Sequence, residues 1–182
     1  MSVLFFGYGP SKDKKRLVDV FKASGLDGEE LVVRGGRGAT VDNYVLAIQT
    51  FDQLPLEVKD TIRKVWGEKF RSYTMKSGKG QIAGVIWELT ENQYQALRKW
   101  EYDGIWRDMK EIEVTTSDQH RVKVLTDKIR DDSAVKEIVD GINYEANLNK
   151  EGMRSLAEEK DDEYRVYELK RVREELLRIA NV

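Results

Sequence analysis

The apolar run Val3-Leu4-Phe5-Phe6 leads into Gly7-Tyr8-Gly9-Pro10-Ser11 and then into the charged segment Lys12 to Arg16, after which Leu17, Val20 and Phe21 recur at helical spacing. This pattern predicts a strand, a tight loop and a helix that runs to about Ser24 and stops at Gly25. Glycines let the loop turn sharply and approach a ligand, and the first free N–H groups of the helix point into the same space. Such a corner favours an anion or a polarised carbonyl oxygen.

Farther along, Leu31-Val32-Val33 predicts a short strand, and Gly35-Gly36-Arg37-Gly38 a mobile turn that lacks the Gly-Lys-Ser/Thr ending of a phosphate loop. Thr40 to Phe51 is β-branched and aromatic enough for one or two strands. Pro55 opens a helix with Leu56, Ile62, Val65 and Trp66 as its apolar positions and Gly67 as its end. Phe70 to Met75 predicts another strand, Ser77-Gly78-Lys79-Gly80 a turn, and Ile82 to Leu89 a central strand buried on both faces. Thr90 and Gln93 form a capping box for a helix that faces Tyr94 and Leu97 inward. Met109 to Thr116 and Arg121 to Thr126 alternate as a hairpin across Ser117-Asp118-Gln119. Ser133 is placed to cap a helix carrying Val135, Ile138, Val139 and Ile142. From Lys150 the chain is charged and helical in pattern, with Leu169, Val172, Leu176 and Ile179 as its apolar stripe. The absence of regular βαβ alternation indicates an α+β fold with a mixed or largely antiparallel sheet.

Length adds that the 182 residues make one domain, with 1–150 as its body and 151–182 as a helical extension packed on it. That extension is a packing element or a homodimer contact. The composition is 40% hydrophobic and 35% charged, and the net charge of −2 argues against a general electrostatic grip on nucleic acid or membrane. The basic cluster Lys12, Lys14, Lys15 and Arg16 reads as a solvated helix face. There is no cysteine and a single histidine, His120, beside a predicted turn. Thiolate catalysis, disulfides and cysteine metal sites are excluded, and a histidine-based triad or metal site is disfavoured. No segment approaches a membrane span and no secretory signal is present, so the cytoplasm is the expected location.

Glu101 stands out against this background. It lies four residues beyond Leu97 and seven beyond Tyr94, on the inward face of its helix and near the helix C-terminus. Burial and the negative end of the helix dipole both oppose its charge and raise its pKa. A carboxyl group tuned in this way can take and return a proton near neutral pH. The structural alternative is an ion pair with Arg107 or Arg16.

The order of four short motifs resembles the γ-glutamylcyclotransferase-like family (AIG2-like, γ-glutamylamine cyclotransferase-like). They are an apolar strand into Tyr8-Gly9, then Ala39 to Leu46, then Gly84-Val85-Ile86-Trp87-Glu88-Leu89, then Trp100-Glu101-Tyr102-Asp103-Gly104-Ile105-Trp106-Arg107. The resemblance spans residues 3 to 150. It implies a small mixed barrel flanked by helices, here with an extra C-terminal helix, and a pocket between the first loop and the family's glutamate. It further implies that Glu101 is the acid/base, that Phe6, Gly7, Tyr8, Gly9, Pro10 and Ser11 hold a γ-glutamyl group, and that Trp106 belongs to the substrate-binding set. The family's reaction converts a small-molecule γ-glutamyl compound to 5-oxoproline and a free amine or amino acid, and no metal or organic cofactor is implied. Pro10 and Ser11 replace the family's serine and asparagine, Arg98 stands where an aspartate is common, and Ala134 falls near the position of a pocket tyrosine. The same pocket without catalysis would make a ligand- or protein-binding module, which is the alternative function.

Overall fold

The structure, a computed structural model, describes residues 2–131, 133–146 and 148–149. Strand β1 (Ser2–Gly7) is followed by a one-turn 3-10 helix, Gly9–Lys12, and by helix α1 (Lys14–Ala23). Asp13 caps α1 by accepting the Lys15 N–H at 2.8 Å, and Gly25 follows its end at φ +81. The order continues as β2 (Arg34–Thr50), α2 (Leu56–Trp66), β3 (Arg71–Thr90), α3 (Glu91–Trp100), β4 (Arg107–Thr116), β5 (Arg121–Ile129) and β6 (Glu137–Val139). Neighbours run β3-β1-β5-β4-β2, and pairing of β2 with β3 closes a five-stranded barrel. β1 is parallel to β5 and antiparallel to β3, so the sheet is mixed, as expected for α+β.

Three clusters form the core. Phe6, Val41, Leu46, Met75, Ile82 and Val124 fill the barrel. Phe5, one residue before Phe6, points the other way and meets Leu17, Phe21, Trp87, Leu89 and Leu97 beneath α1 and α3. β1 is thus apolar on both faces because each covers a different cluster. The third cluster joins α2 to the segment after α3 through Val58, Ile62, Phe70, Tyr102 and Trp106.

Several local expectations are corrected. Residues 31–33 are not a strand; Gly28–Leu31 is a 3-10 turn. Gly35 to Gly38 are not a mobile turn but the paired start of β2 against Val85 to Trp87. Gly35 sits at φ +90 in a bulge where a Cβ would lie 2.9 Å from the Ile86 carbonyl oxygen, so glycine marks close strand approach here. Ser77 to Gly80 likewise do not turn; they lie within the single strand β3, opposite the Asp42/Tyr44 bulge of β2. Leu56 is 80% exposed, because the buried positions of α2 start at Val58 and recur at Ile62. The helix expected after Ser133 is replaced by β6. β2 pairs with β4 only around Ala39 and Thr40, and β6 supplies backbone partners to Leu46–Ile48. Arg16 also departs from the solvated face, stacking over the Trp100 ring at 5.2 Å while Lys14 and Lys15 stay exposed. The predicted C-terminal helix, with the 150/151 boundary, lies outside the described residues.

Candidate active site

The Thr90/Gln93 capping box forms as expected, with Thr90 Oγ1 accepting the Gln93 N–H at 3.2 Å and Gln93 Oε1 accepting the Thr90 N–H at 2.9 Å. That start fixes the helical phase. Leu97 is buried, and Glu101, whose N–H bonds to the Leu97 carbonyl at 2.9 Å, follows it onto the same face. Tyr102 then takes φ +54, a left-handed conformation usually given to glycine after a helix. Asp103 holds this turn: one carboxylate oxygen accepts from Arg98 Nε at 2.6 Å and the other from the Met109 N–H at 2.9 Å.

Arg107, the first residue of β4, is the hub of the site. Its Nη1 donates to Glu101 Oε2 at 2.6 Å and to Asp127 Oδ2 at 2.7 Å. Nη2 donates to Ser72 Oγ at 2.6 Å and to the Tyr73 carbonyl at 2.7 Å. Asp127 Oδ2 also accepts from the Tyr8 hydroxyl at 2.7 Å, and that hydroxyl accepts the Met75 N–H at 3.0 Å. The ends of β1, β3, β4, β5 and α3 are tied together through one guanidinium.

Two carboxylates share that single positive charge in a dry environment. Burial pushes the Glu101 carboxyl up to about 7; Arg107 opposes the rise, Asp127 reinforces it and Arg16 opposes it more weakly. Desolvation therefore outweighs the ion pair. Burial also acts against the Arg107 charge, but Glu101 and Asp127 more than offset this and raise its pKa. Tyr8, raised well above its usual value by burial and then by Asp127, remains a phenol and a donor.

A cavity of about 270 Å³ opens beside these groups, with Tyr8, Pro10, Ser11, Glu101, Trp106, Arg107 and Asp127 among its walls. Phe6, Gly7 and Gly9 do not line it. Phe6 is fully buried in the barrel. A Cβ on Gly7 would collide with the Ser11 carbonyl, the same oxygen that accepts from Trp87 Nε1 at 2.8 Å. Gly7 therefore lets the 8–11 turn fold back against β3. Gly7→Ala is expected to cost about 1–3 kcal/mol in chemical denaturation through this overpacking. An unchanged midpoint would show that the turn does not need the missing side chain.

No family model and no curated protein matches the chain in sequence. Solved structures do match it in shape. A protein described as gamma-glutamyl cyclotransferase superimposes with a TM-score of 0.56 at 15% identity, covering 93% of this chain and 87% of that one. An uncharacterized protein of Homo sapiens matches with a TM-score of 0.56, also at 15% identity, over 93% of this chain and 86% of its own. An AIG2-like protein of Mus musculus gives a TM-score of 0.48 at 17% identity, over 81% of this chain and 98% of its own. The chain has the γ-glutamylcyclotransferase fold.

Within that fold, the sequence-derived set divides into groups that meet the cavity and groups that build its support. Glu101, Tyr8, Pro10, Ser11 and Trp106 meet it; Phe6, Gly7 and Gly9 do not. Trp106 is held by donation from Nε1 to Gln49 Oε1 at 2.8 Å, and Gln49 Nε2 donates to the Ala134 carbonyl at 3.0 Å. Ala134 therefore supports Trp106 at one remove. The aromatic beside the turn is Tyr144, whose hydroxyl accepts the Gly9 N–H at 3.3 Å and donates to the Ala83 carbonyl at 2.6 Å. The Ser11 N–H bonds to the Tyr8 carbonyl at 3.2 Å, and Pro10 has no N–H to offer. Arg98 serves the turn after Glu101 through Asp103. His120 is on the surface, where its side chain is 72% exposed and meets Asp118 at 2.9 Å.

Sequence reasoning missed Asp127, Tyr144 and the shared guanidinium. Asp127 had a signal. It follows Leu125 and precedes Ile129 at two-residue spacing, so it falls on their face of β5, and ending that strand at Thr126 hid the alternation. Among the described residues no helix is long and apolar enough to cross a membrane.

Proposed function

We propose that the chain is a γ-glutamyl cyclotransferase acting on a small-molecule γ-glutamyl compound. One observation carries the reading: a buried carboxyl group, Glu101, which burial pushes up to about 7, forms part of the wall of a cavity between the first turn and the end of α3. The α-amine of the γ-glutamyl unit attacks its own side-chain carbonyl carbon, forming the ring C–N bond. Glu101 takes a proton from that amine and returns one to the departing nitrogen as the original amide bond breaks. The products are 5-oxoproline and a free amine, and no electrons are exchanged. Ring closure already places nucleophile and carbonyl together, so positioning and proton transfer are what the protein must supply. The developing oxyanion calls for donors on the turn. The Ser11 amide makes a bond of 3.2 Å within the protein, long enough to be exchanged for a stronger acceptor, and Ser11 adds a hydroxyl.

The test is release of 5-oxoproline from a panel of γ-glutamyl compounds. A pH profile adds to it. As a general base Glu101 must be ionised in the free enzyme, so kcat/KM is expected to rise as pH increases through about 7 and to fall below it. An acid limb near the ordinary carboxylate range would mean that the buried Glu101 is not the group titrating.

A second reading, a binding module without catalysis, is favoured by one feature: Glu101 is already paired to Arg107 at 2.6 Å while Pro10 removes a loop donor. Binding of γ-glutamyl compounds without any 5-oxoproline would establish it.

A further inference from the structure

Four rings form a connected run along one side of the cavity. Trp66, in the last turn of α2, lies 5.5 Å from Phe70 by ring centroids; Phe70 is 6.2 Å from Trp106, and Trp106 is 6.3 Å from Tyr102 in an edge-on arrangement. All four border the cavity, together with Ile62 from the preceding turn of α2. Phe70, Trp106 and Tyr102 are buried, whereas Trp66 is only half-buried at the edge of the third core cluster. Among the described residues, Ile62 and Trp66 are the only parts of α2 that reach the cavity, so this helix brings apolar surface to it.

The position of the run relative to Glu101 gives it meaning. Tyr102 directly follows Glu101, and Trp106 lies before Arg107, which holds the Glu101 carboxylate. A leaving nitrogen within hydrogen-bond reach of Glu101 therefore carries its substituent beside these rings. The turn at Tyr8 to Ser11 comes from other elements, β1 and the start of α1, and is available to the γ-glutamyl end. A polar substituent, such as an amino-acid head group, would lose water against ring faces with little in return. A flat apolar one sheds its own hydration against the rings and stacks on them. The cavity, at about 270 Å³, falls below the ~300–1,000 Å³ typical of drug-sized ligands, which favours one compact amine over a peptide.

We infer that the rings Trp66, Phe70, Trp106 and Tyr102 form the subsite for the released amine, and that this amine carries a compact aromatic or apolar group. The inference rests on the cyclotransferase reading for its assignment of the two ends of the substrate. In the reaction the ring C–N bond of 5-oxoproline forms, the amide C–N bond breaks, and the proton taken up by Glu101 leaves on the aryl-alkyl amine.

The experiment compares γ-glutamylbenzylamide, γ-glutamylmethylamide and γ-glutamyl-ε-lysine by 5-oxoproline release, with direct titration calorimetry of the same compounds. Wild type is expected to prefer the benzylamide over the methylamide by about tenfold or more in kcat/KM, mainly through KM. Trp66→Ala is expected to shrink that ratio to about threefold or less, while Trp66→Phe, which retains a ring, keeps most of it. Equal kcat/KM values across the panel, or a preference for the lysine compound, would overturn the subsite and leave the cyclotransferase reading intact. If no compound yields 5-oxoproline, the catalytic reading fails and calorimetry decides the subsite. Benzylamide binding tighter than methylamide binding by a similar factor upholds it; equal binding, or none, overturns it.

Discussion

Arg107→Met is expected to destabilise the protein by about 3–5 kcal/mol, the range for a buried ion pair that loses one partner. The side chains involved are 8% exposed for Arg107, 11% for Glu101 and 4% for Asp127, so the network is largely withdrawn from solvent. Methionine fills similar space but leaves two carboxylates, the Ser72 hydroxyl and the Tyr73 carbonyl without their common donor. In a chain of this size the loss corresponds to a fall in Tm of roughly 10 °C. The deficit has a direction in pH. Below about 7 the wild-type Glu101 is already protonated, so less charge is stranded; above 7 it is ionised and depends on Arg107. The gap between variant and wild type should therefore widen as pH rises through 7. Arg121, whose side chain is 76% exposed and pairs with Glu113 at 3.1 Å, is the comparison: its replacement by methionine should cost less than about 1 kcal/mol. Equal losses for the two variants would mean that the Arg107 network does not organise the site.

What the sequence revealed, and what it concealed, follows from the range of the interactions involved. The capping box of α3 and the hairpin across Ser117 to Gln119 are local, and each is present at its expected place. Glu101 was legible for the same reason, because three helical turns from Thr90 fix its face. The continuous strands β2 and β3 were not. Glycines at 35 to 38 and 78 to 80 suggest turns in isolation, yet pairing along most of both strands holds them extended and accommodates them as bulges. Residues 133–142 have a helical apolar pattern, but β2 has backbone groups to satisfy beyond its contact with β4, and β6 satisfies them. Asp127 meets Arg107 across 20 positions and Tyr8 across 119, separations that no local pattern encodes. The pairing of Glu101 with Arg107 was one of two anticipated partners. That both carboxylates converge on one Nη nitrogen required the barrel to close.

Glu101 therefore need not be assigned to structure or to chemistry alone. The ion pair holds the carboxylate in place, and burial with Asp127 nearby keeps its affinity for a proton close to neutral. Glu101→Gln keeps the size and a hydrogen-bond acceptor for Arg107 but cannot take up or deliver a proton. It is expected to retain the fold, with a Tm no lower than that of wild type at pH 8, because it removes a buried charge. Its 5-oxoproline release should fall by about 10²–10⁴-fold, the usual contribution of a positioned acid/base. The decisive measurement is side-by-side quantification of 5-oxoproline formed from one γ-glutamyl amide by folded wild type and folded Glu101→Gln. Release by wild type with a loss of that size in the variant is the predicted result; equal release by both would contradict the assignment of Glu101 as the proton-transfer group.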